Sequence, residues 1–329
     1  MVEELFERTI TKYNLVKRKE KLMIGVSGGP DSVCLLHLFC NIRKARQLDL
    51  TCVHLNHRLR KEADEEEKFV KELCRTLGVR YAAERKDVKG LDRGDSLEQT
   101  ARQARLDFFR RCARRYKIKK IALAHNKDDV AETVLMRLIR GTALEGLKAI
   151  QPKKKMYGVE FIRPIIDVRK KDILDWLGAH DISYKIDRSN FSEIFLRNKV
   201  RLTLIPQLEQ LNPRIVESLA NFARSAAADF DFIHEFTKAQ YDTIKKQRGA
   251  GFIKLNVVQL KIIHPAILFH LIRLAIAEIK GNTRRLELKH YEQIVALIFN
   301  KSQSGSLDMP DIEVRREEKW LLIKSLLFY

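Results

Sequence analysis

A short polar segment, residues 27–32, constrains the fold of this chain more than any other feature. It reads Ser-Gly-Gly-Pro-Asp-Ser and stands between an apolar run at 22–26 and a second apolar run at 33–39. The first run is typical of a buried strand and the second of a helix. Consecutive glycines let the backbone turn sharply and approach an anion, and the first N–H groups of a helix attract phosphate. The segment therefore predicts a strand, a phosphate-binding loop and a helix.

The side chains of this loop suit phosphate chemistry. Ser27 and Ser32 supply hydroxyl donors, and Asp31 can hold Mg²⁺ against phosphate oxygens. The loop is not of the Walker type, because no Gly-Lys-Ser/Thr follows the glycines. A plain surface turn is the alternative interpretation. The candidate phosphate-binding residues are Ser27, Gly28, Gly29, Pro30, Asp31 and Ser32.

Strand-like and helix-like patterns alternate over the first two thirds of the chain. The strand-like runs are 22–26, 50–55, 79–83, 118–124 and 161–166. The helical segments between them are 31–46, 62–77, 95–116 and 128–140. Short apolar strands that alternate with helices predict a parallel sheet covered by helices on both faces. Ligands of such sheets bind beyond the carboxyl ends of the strands, where the polar motifs of this chain occur.

Two further polar motifs follow predicted strands. His54 and Asn56 end the second strand, where we expect them beside an adenine; a structural role is the alternative. Asp129 and Glu132 lie three residues apart, on one face of the helix that follows the fourth strand. A carboxylate pair beside a phosphate loop can bind an ammonium group or accept its proton. Capping of the helix is the alternative for an acidic residue at that helix start.

The net charge indicates the kind of molecule that this protein binds, and the cysteines indicate the redox state of its compartment. The net charge is +20, and residues 101–200 hold 24 Lys and Arg against 12 Asp and Glu. Such a surface attracts polyanions, which predicts nucleic-acid binding, with a solvated helix face as the alternative. Cysteines occur at 34, 40, 52, 74 and 112, without a CxxC pair or metal-ligand spacing. We expect them to be buried side chains in a reducing compartment.

The chain shows neither a secretory signal nor a membrane-spanning pattern. The first twenty residues interleave acidic with basic residues. The longest apolar stretch, 266–279, is interrupted by charged side chains. We therefore expect a cytoplasmic protein that does not contact a membrane.

The length of 329 residues predicts two domains, and the pattern changes after Pro213. Helical periodicity covers 215–246, 261–280 and 290–299, and alternation over 312–328 predicts a β-hairpin. We predict an α/β adenine-nucleotide-binding domain at 1–212, built on a parallel sheet covered by helices. A smaller, mainly helical domain at 213–329, ending in the hairpin, would follow it.

Six strings of this chain, taken in order, resemble the tRNA(Ile)-lysidine synthetase family of PP-loop ATP pyrophosphatases. The strings are SGGPDS, HLNHRLR, TARQAR, AHNKDDVAETVLMRLIRGTALEGL, RPIID and DRSNFSEIFLRNKVR. The resemblance extends from about residue 20 to 210 and continues more faintly over 265–323. It implies an enzyme that uses ATP and Mg²⁺ to join free lysine to C2 of the wobble cytidine of an isoleucine tRNA with a CAU anticodon. The implied route passes through an adenylated cytidine and releases AMP and pyrophosphate.

The resemblance also implies roles for individual residues. The loop, together with His54 and Asn56, would bind ATP, and Asp31 would bind the Mg²⁺ ion. Asp129, Glu132 and Arg197 would bind lysine or act in catalysis. The implied contacts to tRNA or to phosphate are Arg102, Arg105, Arg137, Arg140 and Arg201. The second domain would bind the tRNA, and a homodimer is compatible with the sequence.

Two alternative functions stay open at this point. The chain could be another PP-loop tRNA-modifying enzyme, such as a thiolase; those enzymes generally need cysteine pairs for sulfur transfer or an iron–sulfur cluster. It could instead be a non-catalytic, ATP-dependent RNA binder, in which Asp129 and Glu132 would have no chemical task.

Overall fold

The computed structural model describes residues 1–56, 63–87, 97–185, 196–283, 285–302 and 304–326. The motif residues at 57–60 and 186–195 lie outside this part of the chain. The protein divides into two compact units, Met1–Ala226 and Ala227–Tyr329. This division falls within the helix Ile215–Thr243, whereas the predicted domain boundary at 212/213, which rests on the change of pattern, stays a prediction.

The first unit is built on a six-stranded sheet. Its strands lie in the order β3-β2-β1-β4-β6-β5, and β5 alone among them runs antiparallel to its neighbour. The strands are β1 (Lys21–Gly25), β2 (Asp49–Asn56), β3 (Arg80–Arg85), β4 (Lys120–Ala122), β5 (Lys153–Met156) and β6 (Val159–Ile162). The longer helices are α1 (Val2–Lys12), α2 (Pro30–Arg46), α3 (Ala63–Thr76), α4 (Leu97–Tyr116), α5 (Lys127–Arg140) and α7 (Lys170–Ala179).

Helices cover both faces of the sheet, as the continuous apolar runs of its strands require. Leu22 and Ile24 of β1 pack on one face in a cluster with Phe39 of α2. Met23 lies between them in sequence and packs on the other face with Phe108 of α4. This alternation follows from the two-residue period of a strand. The predicted α/β fold class, a parallel sheet covered by helices, is confirmed.

Several boundaries differ from the sequence-based expectation. The predicted strand at 161–166 ends at Ile162, because the chain turns at Arg163 and Pro164, and proline lacks the N–H that a strand interior requires. β5 was not expected, because its residues Lys153-Lys154-Lys155 form a charged run. It forms an antiparallel pair with β6 at the edge of the sheet, where lysine side chains are tolerated.

Short helices complete the first unit near its candidate site. They are α6 (Leu144–Leu147), α8 (Leu196–Lys199) and α9 (Ile205–Leu211), and a π-helical turn (Val200–Leu204) joins α8 to α9. Such π-helical turns are frequent at functional sites. α10 (Ile215–Thr243) begins in this unit, where Val216 is buried against α5 through Ala131.

The second unit combines helices with a five-stranded antiparallel sheet. The strands, in the order β7-β8-β11-β10-β9, are β7 (Lys246–Gly249), β8 (Phe252–Asn256), β9 (Ser304–Met309), β10 (Ile312–Glu317) and β11 (Trp320–Ser325). The helices are α11 (Val257–Lys261), α12 (Pro265–Lys280) and α13 (Leu288–Phe299). The predicted hairpin exists as β10 and β11, and it is part of this larger sheet, because β8 and β9 extend it on both sides.

The apolar residues of the second unit form one core. Leu271 and Ile276 of α12 pack with Ile294 of α13 and with Ile253 and Ile323 of the sheet. Although α12 is rich in apolar residues, none of the helices in the described ranges has both the length and the hydropathy needed to cross a bilayer.

Candidate active site

The loop after β1 is closed by its own serine side chains. Ser32 Oγ accepts a hydrogen bond from Ser27 N at 3.1 Å and donates one to Gly29 O at 2.9 Å. Ser27 Oγ lies 3.2 Å from Ser32 Oγ. Within the described part of the chain, no side-chain hydrogen bond caps α2 at Gly29, and Pro30 follows as the first residue of the helix. The first turn of α2 therefore presents its positive end at the carboxyl edge of β1, as an anion site requires.

Gly28 is the loop position at which the backbone needs a glycine. Its φ is +95°, a conformation that L side chains rarely adopt, and a Cβ there would lie 3.4 Å from Val70 Cγ2. We expect Gly28→Ala to raise the KM for ATP about tenfold, because the loop must distort to relieve strain of about 1–2 kcal/mol. Initial-rate kinetics at varied ATP concentration measure this effect.

Gly78 provides the control for this substitution. It also has a positive φ, +59°, in the turn before β3, and none of the described residues lies within 4 Å of the Cβ position. Gly78→Ala therefore carries a similar backbone strain outside the loop. An equal rise in the KM for ATP in both variants would contradict the role of the loop in binding nucleotide.

Asp31, in the first turn of α2, has partners from two other segments. Its Oδ1 accepts a hydrogen bond from Asn126 Nδ2 at 3.0 Å, and its Oδ2 lies 2.6 Å from Lys170 Nζ. Its side chain is 28% exposed, so a ligand at the loop can reach it. Among the described residues, no three His, Cys, Asp or Glu side chains are grouped as a metal site. One carboxylate beside a phosphate loop nevertheless fits Mg²⁺, which is commonly held by one or two carboxylates together with substrate phosphates.

The side chains of His54 and Asn56 are engaged within the protein. His54 Nδ1 lies 2.8 Å from Val26 O, and burial lowers the pKa of this histidine. Asn56 Nδ2 donates to Ala63 O, Asp64 Oδ1 and Glu67 Oε2 at 2.9–3.2 Å. These bonds fix the carboxyl end of β2 next to the phosphate loop. The expectation that both residues contact ATP stays a prediction.

Asp128 and Asp129, two neighbouring residues at the start of α5, have different hydrogen-bond partners. Asn126 Oδ1 accepts a hydrogen bond from Asp129 N at 3.0 Å, and Asp129 Oδ2 accepts one from Asn126 N at 2.9 Å, which is a reciprocal capping box. Asp128 instead accepts from Lys170 N at 2.7 Å and from Arg169 Nε at 3.3 Å. Asp128 therefore ties α5 to α7, and Asp129 caps α5 with one oxygen while the other faces the site.

Glu132 and Asp129 converge with two arginines from a distant part of the sequence. Glu132 is 1% exposed, and its carboxylate accepts from Arg201 Nε at 2.6 Å and from Arg197 Nε at 3.0 Å. Asp129 Oδ1 lies 3.4 Å from Arg201 Nη2 and 3.7 Å from Arg197 Nη2. Burial, together with the charge of Asp129, raises the pKa of Glu132. The guanidinium groups of Arg201 and Arg197 lower this pKa, but their effect is the smaller one. The sequence grouped Asp129, Glu132 and Arg197, and the structure adds Arg201 to them.

A cluster of basic side chains lies beside this ion-pair group. Burial, followed by the charges of Arg163, Arg197, Arg105 and Arg102, lowers the pKa of His125 to about 3. His125 follows β4 and Arg163 follows β6, so both lie at the carboxyl edge of the sheet. His125 is therefore uncharged at neutral pH, and the positive charge of this edge comes from the arginines.

The basic cluster extends along the edge of the sheet to β5. Burial, and then the charges of Arg102, Arg163, Arg137 and Lys148, lower the pKa of Lys154. Burial with Arg102 also lowers the pKa of Arg163 to about 10. Arg163, Lys148 and Lys154 were absent from the predicted contacts, although the string RPIID, which carries part of the family resemblance, begins with Arg163 and could have pointed to it. Arg140 is exposed at the end of α5, and its contact with tRNA stays a prediction.

The sequence comparisons identify the family to which these features belong. A model of the PP-loop domain matches residues 2–208. The tRNA(Ile)-lysidine synthase of Clostridioides difficile is 34% identical over 322 residues, which cover 96% of this chain and 69% of that protein. The chain belongs to the tRNA(Ile)-lysidine synthase family. As a member of this family with a PP-loop domain, it is a ligase that uses ATP.

Other matches agree with this assignment to the lysidine synthase family. The tRNA(Ile)-lysidine synthase of Caldanaerobacter subterraneus is 35% identical over 99% of this chain and 69% of its own length. The bifunctional protein TilS/HprT of Listeria monocytogenes is 35% identical over 92% of this chain and 47% of its own length. The chain thus spans between about half and about two thirds of these relatives.

A comparison with solved structures agrees with the fold. The U34-tRNA thiolase NcsA of Methanococcus maripaludis, solved with its [4Fe-4S] cluster, matches with a TM-score of 0.59 and 22% identity. The match covers 69% of this chain and 78% of NcsA. At this level of identity the likeness concerns the PP-loop fold and not the reaction.

Proposed function

We propose that this protein ligates lysine to C2 of the wobble cytidine of an isoleucine tRNA with a CAU anticodon, with cleavage of ATP to AMP and pyrophosphate. The observation that carries the proposal is the connection between a phosphate loop and a carboxylate–arginine group. Asn126 bonds to Asp31 of the loop with its Nδ2 and to Asp129 with its Oδ1. A nucleotide at the loop and an amine at Asp129 would therefore be held beside each other.

In the first step, the C2 carbonyl oxygen of cytidine attacks the α-phosphorus of ATP. A bond forms between that oxygen and phosphorus, and the bond to pyrophosphate breaks. Hydrogen-bond donors of the loop and the positive end of α2 stabilise the negative charge that grows on the leaving group. Arg197, which is 32% exposed beside Glu132, has a guanidinium that can contact the α-phosphate.

Mg²⁺ would be held by Asp31 and the phosphates, and it would supply further charge stabilisation for the departing pyrophosphate.

In the second step, the ε-amine of lysine attacks C2, and the bond between C2 and the oxygen of AMP breaks. The amine must be neutral to attack, so its ammonium form must first give a proton to a carboxylate, and we assign this acceptor role to Asp129. Asp129 Oδ1 is suited to hold the ammonium group, because its distances to the arginines, 3.4 and 3.7 Å, are long and its side chain is 15% exposed. Glu132, which is almost inaccessible, holds Arg197 and Arg201 in place.

The basic cluster at the β5 and β6 edge supports RNA as the second substrate. It lies on the opposite side of β1 from β2 and so leaves the β2 side for the adenosine. We assign Arg102, Arg105 and Arg137 to RNA phosphates near the target nucleotide. The predicted second domain, residues 213–329, would bind another part of the tRNA. We also propose that the protein can form a homodimer.

We expect Arg102→Gln to raise the KM for tRNA about tenfold and to reduce the salt dependence of tRNA binding by about one phosphate contact. Arg102 is exposed on α4, and its charge acts on Lys154, Arg137 and Arg163. Filter binding at several salt concentrations measures the effect. Arg114→Gln is the control, since Arg114 is exposed in the last turn of the same helix. Equal losses in both variants would contradict a specific contact at Arg102.

Three of the five cysteines of this chain give the thiolase alternative little support. Burial raises the pKa of Cys34 to about 12 and the pKa values of Cys40 and Cys112 to about 11. A thiol acts as a nucleophile in its thiolate form, so these three side chains suit packing better than sulfur transfer.

The test of the proposed function is the reaction itself. The protein is incubated with ATP, Mg²⁺, isotopically labelled lysine and an isoleucine tRNA transcript bearing a CAU anticodon, and the nuclease digest is read by mass spectrometry. Label on the wobble cytidine, with AMP and pyrophosphate released, is the expected result. A folded protein that leaves that cytidine unlabelled would contradict the proposal and favour a non-catalytic RNA binder or another PP-loop reaction.

A further inference from the structure

A lysine side chain from outside the phosphate loop, that of Lys170, contacts an acidic residue of the loop. Lys170 Nζ lies 2.6 Å from Asp31 Oδ2, although the two residues are 139 positions apart. The Lys170 side chain is 35% exposed and that of Asp31 is 28% exposed, so the pair is open to solvent. Ion pairs open to solvent contribute little to stability, so stability alone is a weak reason for this contact.

The backbone that carries Lys170 is firmly held. Its N–H donates to Asp128 Oδ2 at 2.7 Å at the start of α7. The preceding residue, Arg169, bonds to Asp128, to Glu209 and to Glu217 at 3.0–3.3 Å. The base of the lysine side chain is therefore fixed by carboxylates, while the ammonium group remains on a flexible four-carbon chain. This arrangement lets the ammonium move by a few Å without any movement of α7.

The negative charges expected at the loop require a positively charged side chain nearby, and Lys170 can supply it. Pyrophosphate carries several negative charges as it leaves. Asp31, in the first turn of α2 beside the loop, adds another negative charge. A Walker loop supplies a lysine to the β and γ phosphates from its own Gly-Lys-Ser/Thr segment, which this loop lacks. Lys170 reaches the same place from α7. Its present partner, Asp31, is the carboxylate that would have to be released to hold a divalent cation.

We propose that Lys170 is a phosphate-binding residue that exchanges Asp31 for the β and γ phosphates of ATP when the nucleotide enters, and that stays with pyrophosphate as it leaves. The proposal rests on the proposed use of ATP at this loop. It couples nucleotide binding to cation binding, because the transfer of Lys170 to phosphate frees Asp31 Oδ2. Without nucleotide, Lys170 neutralises Asp31 and keeps the loop ready for an anion.

The test measures the binding of inorganic pyrophosphate and of ATP, without tRNA or lysine, by isothermal titration calorimetry. We expect Lys170→Met to weaken both about 10- to 100-fold in the presence of Mg²⁺, which is the loss typical of a hydrogen bond to a charged group. Lys170→Arg should recover most of the affinity. Lys171→Met is the control, because Lys171 is the next residue on α7 and is exposed. Binding by Lys170→Met as tight as that of the unmodified protein would overturn the proposal.

A second experiment separates phosphate binding from mere neutralisation of Asp31. In EDTA, pyrophosphate binding is compared between Asp31→Asn and the double variant Asp31→Asn with Lys170→Met. If Lys170 contacts phosphate, its removal still weakens binding about tenfold when no carboxylate is left to neutralise. If its removal then has no effect, Lys170 acts only through Asp31 and the proposal is wrong.

The same measurements distinguish this proposal from the proposed lysine ligation. Pyrophosphate and ATP binding need neither lysine nor tRNA. A protein that fails to form lysidine but loses pyrophosphate affinity on Lys170→Met contradicts the ligation and supports the phosphate contact. A protein that forms lysidine with unchanged affinity in the Lys170→Met variant supports the ligation and contradicts the phosphate contact.

Discussion

Substitution of Glu132 by Gln is expected to lower the rate of lysidine formation by at least about 1,000-fold. The carboxylate is 1% exposed and anchors both Arg197 and Arg201. Glutamine has nearly the same shape, but it offers one acceptor oxygen and no charge to the two guanidinium groups. The arginines then lose their fixed positions beside the phosphate loop. Since preorganised charge is usually the largest contribution to catalysis, both the adenylation step and the lysine step should slow.

The same substitution should also lower the free energy of unfolding, by about 3 kcal/mol, because breaking a buried ion pair leaves charges without compensation. The two steps are measured separately by transfer of the α-phosphate label of ATP to tRNA without lysine, and by chase with lysine. Unfolding is followed by circular dichroism in urea.

Glu20→Gln is the matched control for Glu132→Gln. Glu20 binds the partly buried ammonium group of Lys120 at 2.8 Å, and it precedes β1 at the amino edge of the sheet. Its substitution should lower stability but leave the rate per folded molecule close to that of the unmodified protein. If Glu132→Gln behaves in the same way, Glu132 serves stability alone.

Asp129→Asn is expected to separate the two chemical steps. The amide oxygen of asparagine can still accept the hydrogen bond from Asn126 N, so the start of α5 keeps its cap. What is lost is the negative charge that we assign to the lysine ammonium group. Lysine attack should therefore slow about 100-fold or more, which is typical for the loss of a positioned proton acceptor, and adenylated tRNA should accumulate.

The accumulation is measured as α-phosphate label retained on tRNA in the presence of lysine. Asp167→Asn is the control: its side chain has a similar exposure, 13% against 15%, and one arginine partner, Arg224, at 3.4 Å. We expect no accumulation in that variant. An Asp129→Asn enzyme that loses label transfer and lysine attack equally would assign Asp129 to the first step or to both steps.

The sequence by itself predicted the α/β fold and the position of the phosphate loop. Both depend on local patterns: the apolar run before Ser27, the two glycines, and the apolar helix that begins after Pro30. It also placed Asp129 and Glu132 on one face of α5, because a helix fixes the relation between residues three apart. Local spacing is sufficient for these features, since each is formed by residues close together in the chain.

Tertiary structure alone decided which distant side chains meet those local motifs. Arg201 reaches Glu132 across 69 residues, and Lys170 reaches Asp31 across 139. The lysine-rich run at 153–155 became an edge strand, and the predicted carboxyl-terminal hairpin became part of a five-stranded sheet. Periodicity shows which face of an element is apolar, but a charged side chain finds its partner only through the packing of whole elements. The local motifs therefore locate the proposed nucleotide site, and the fold brings the arginines and the lysine next to it.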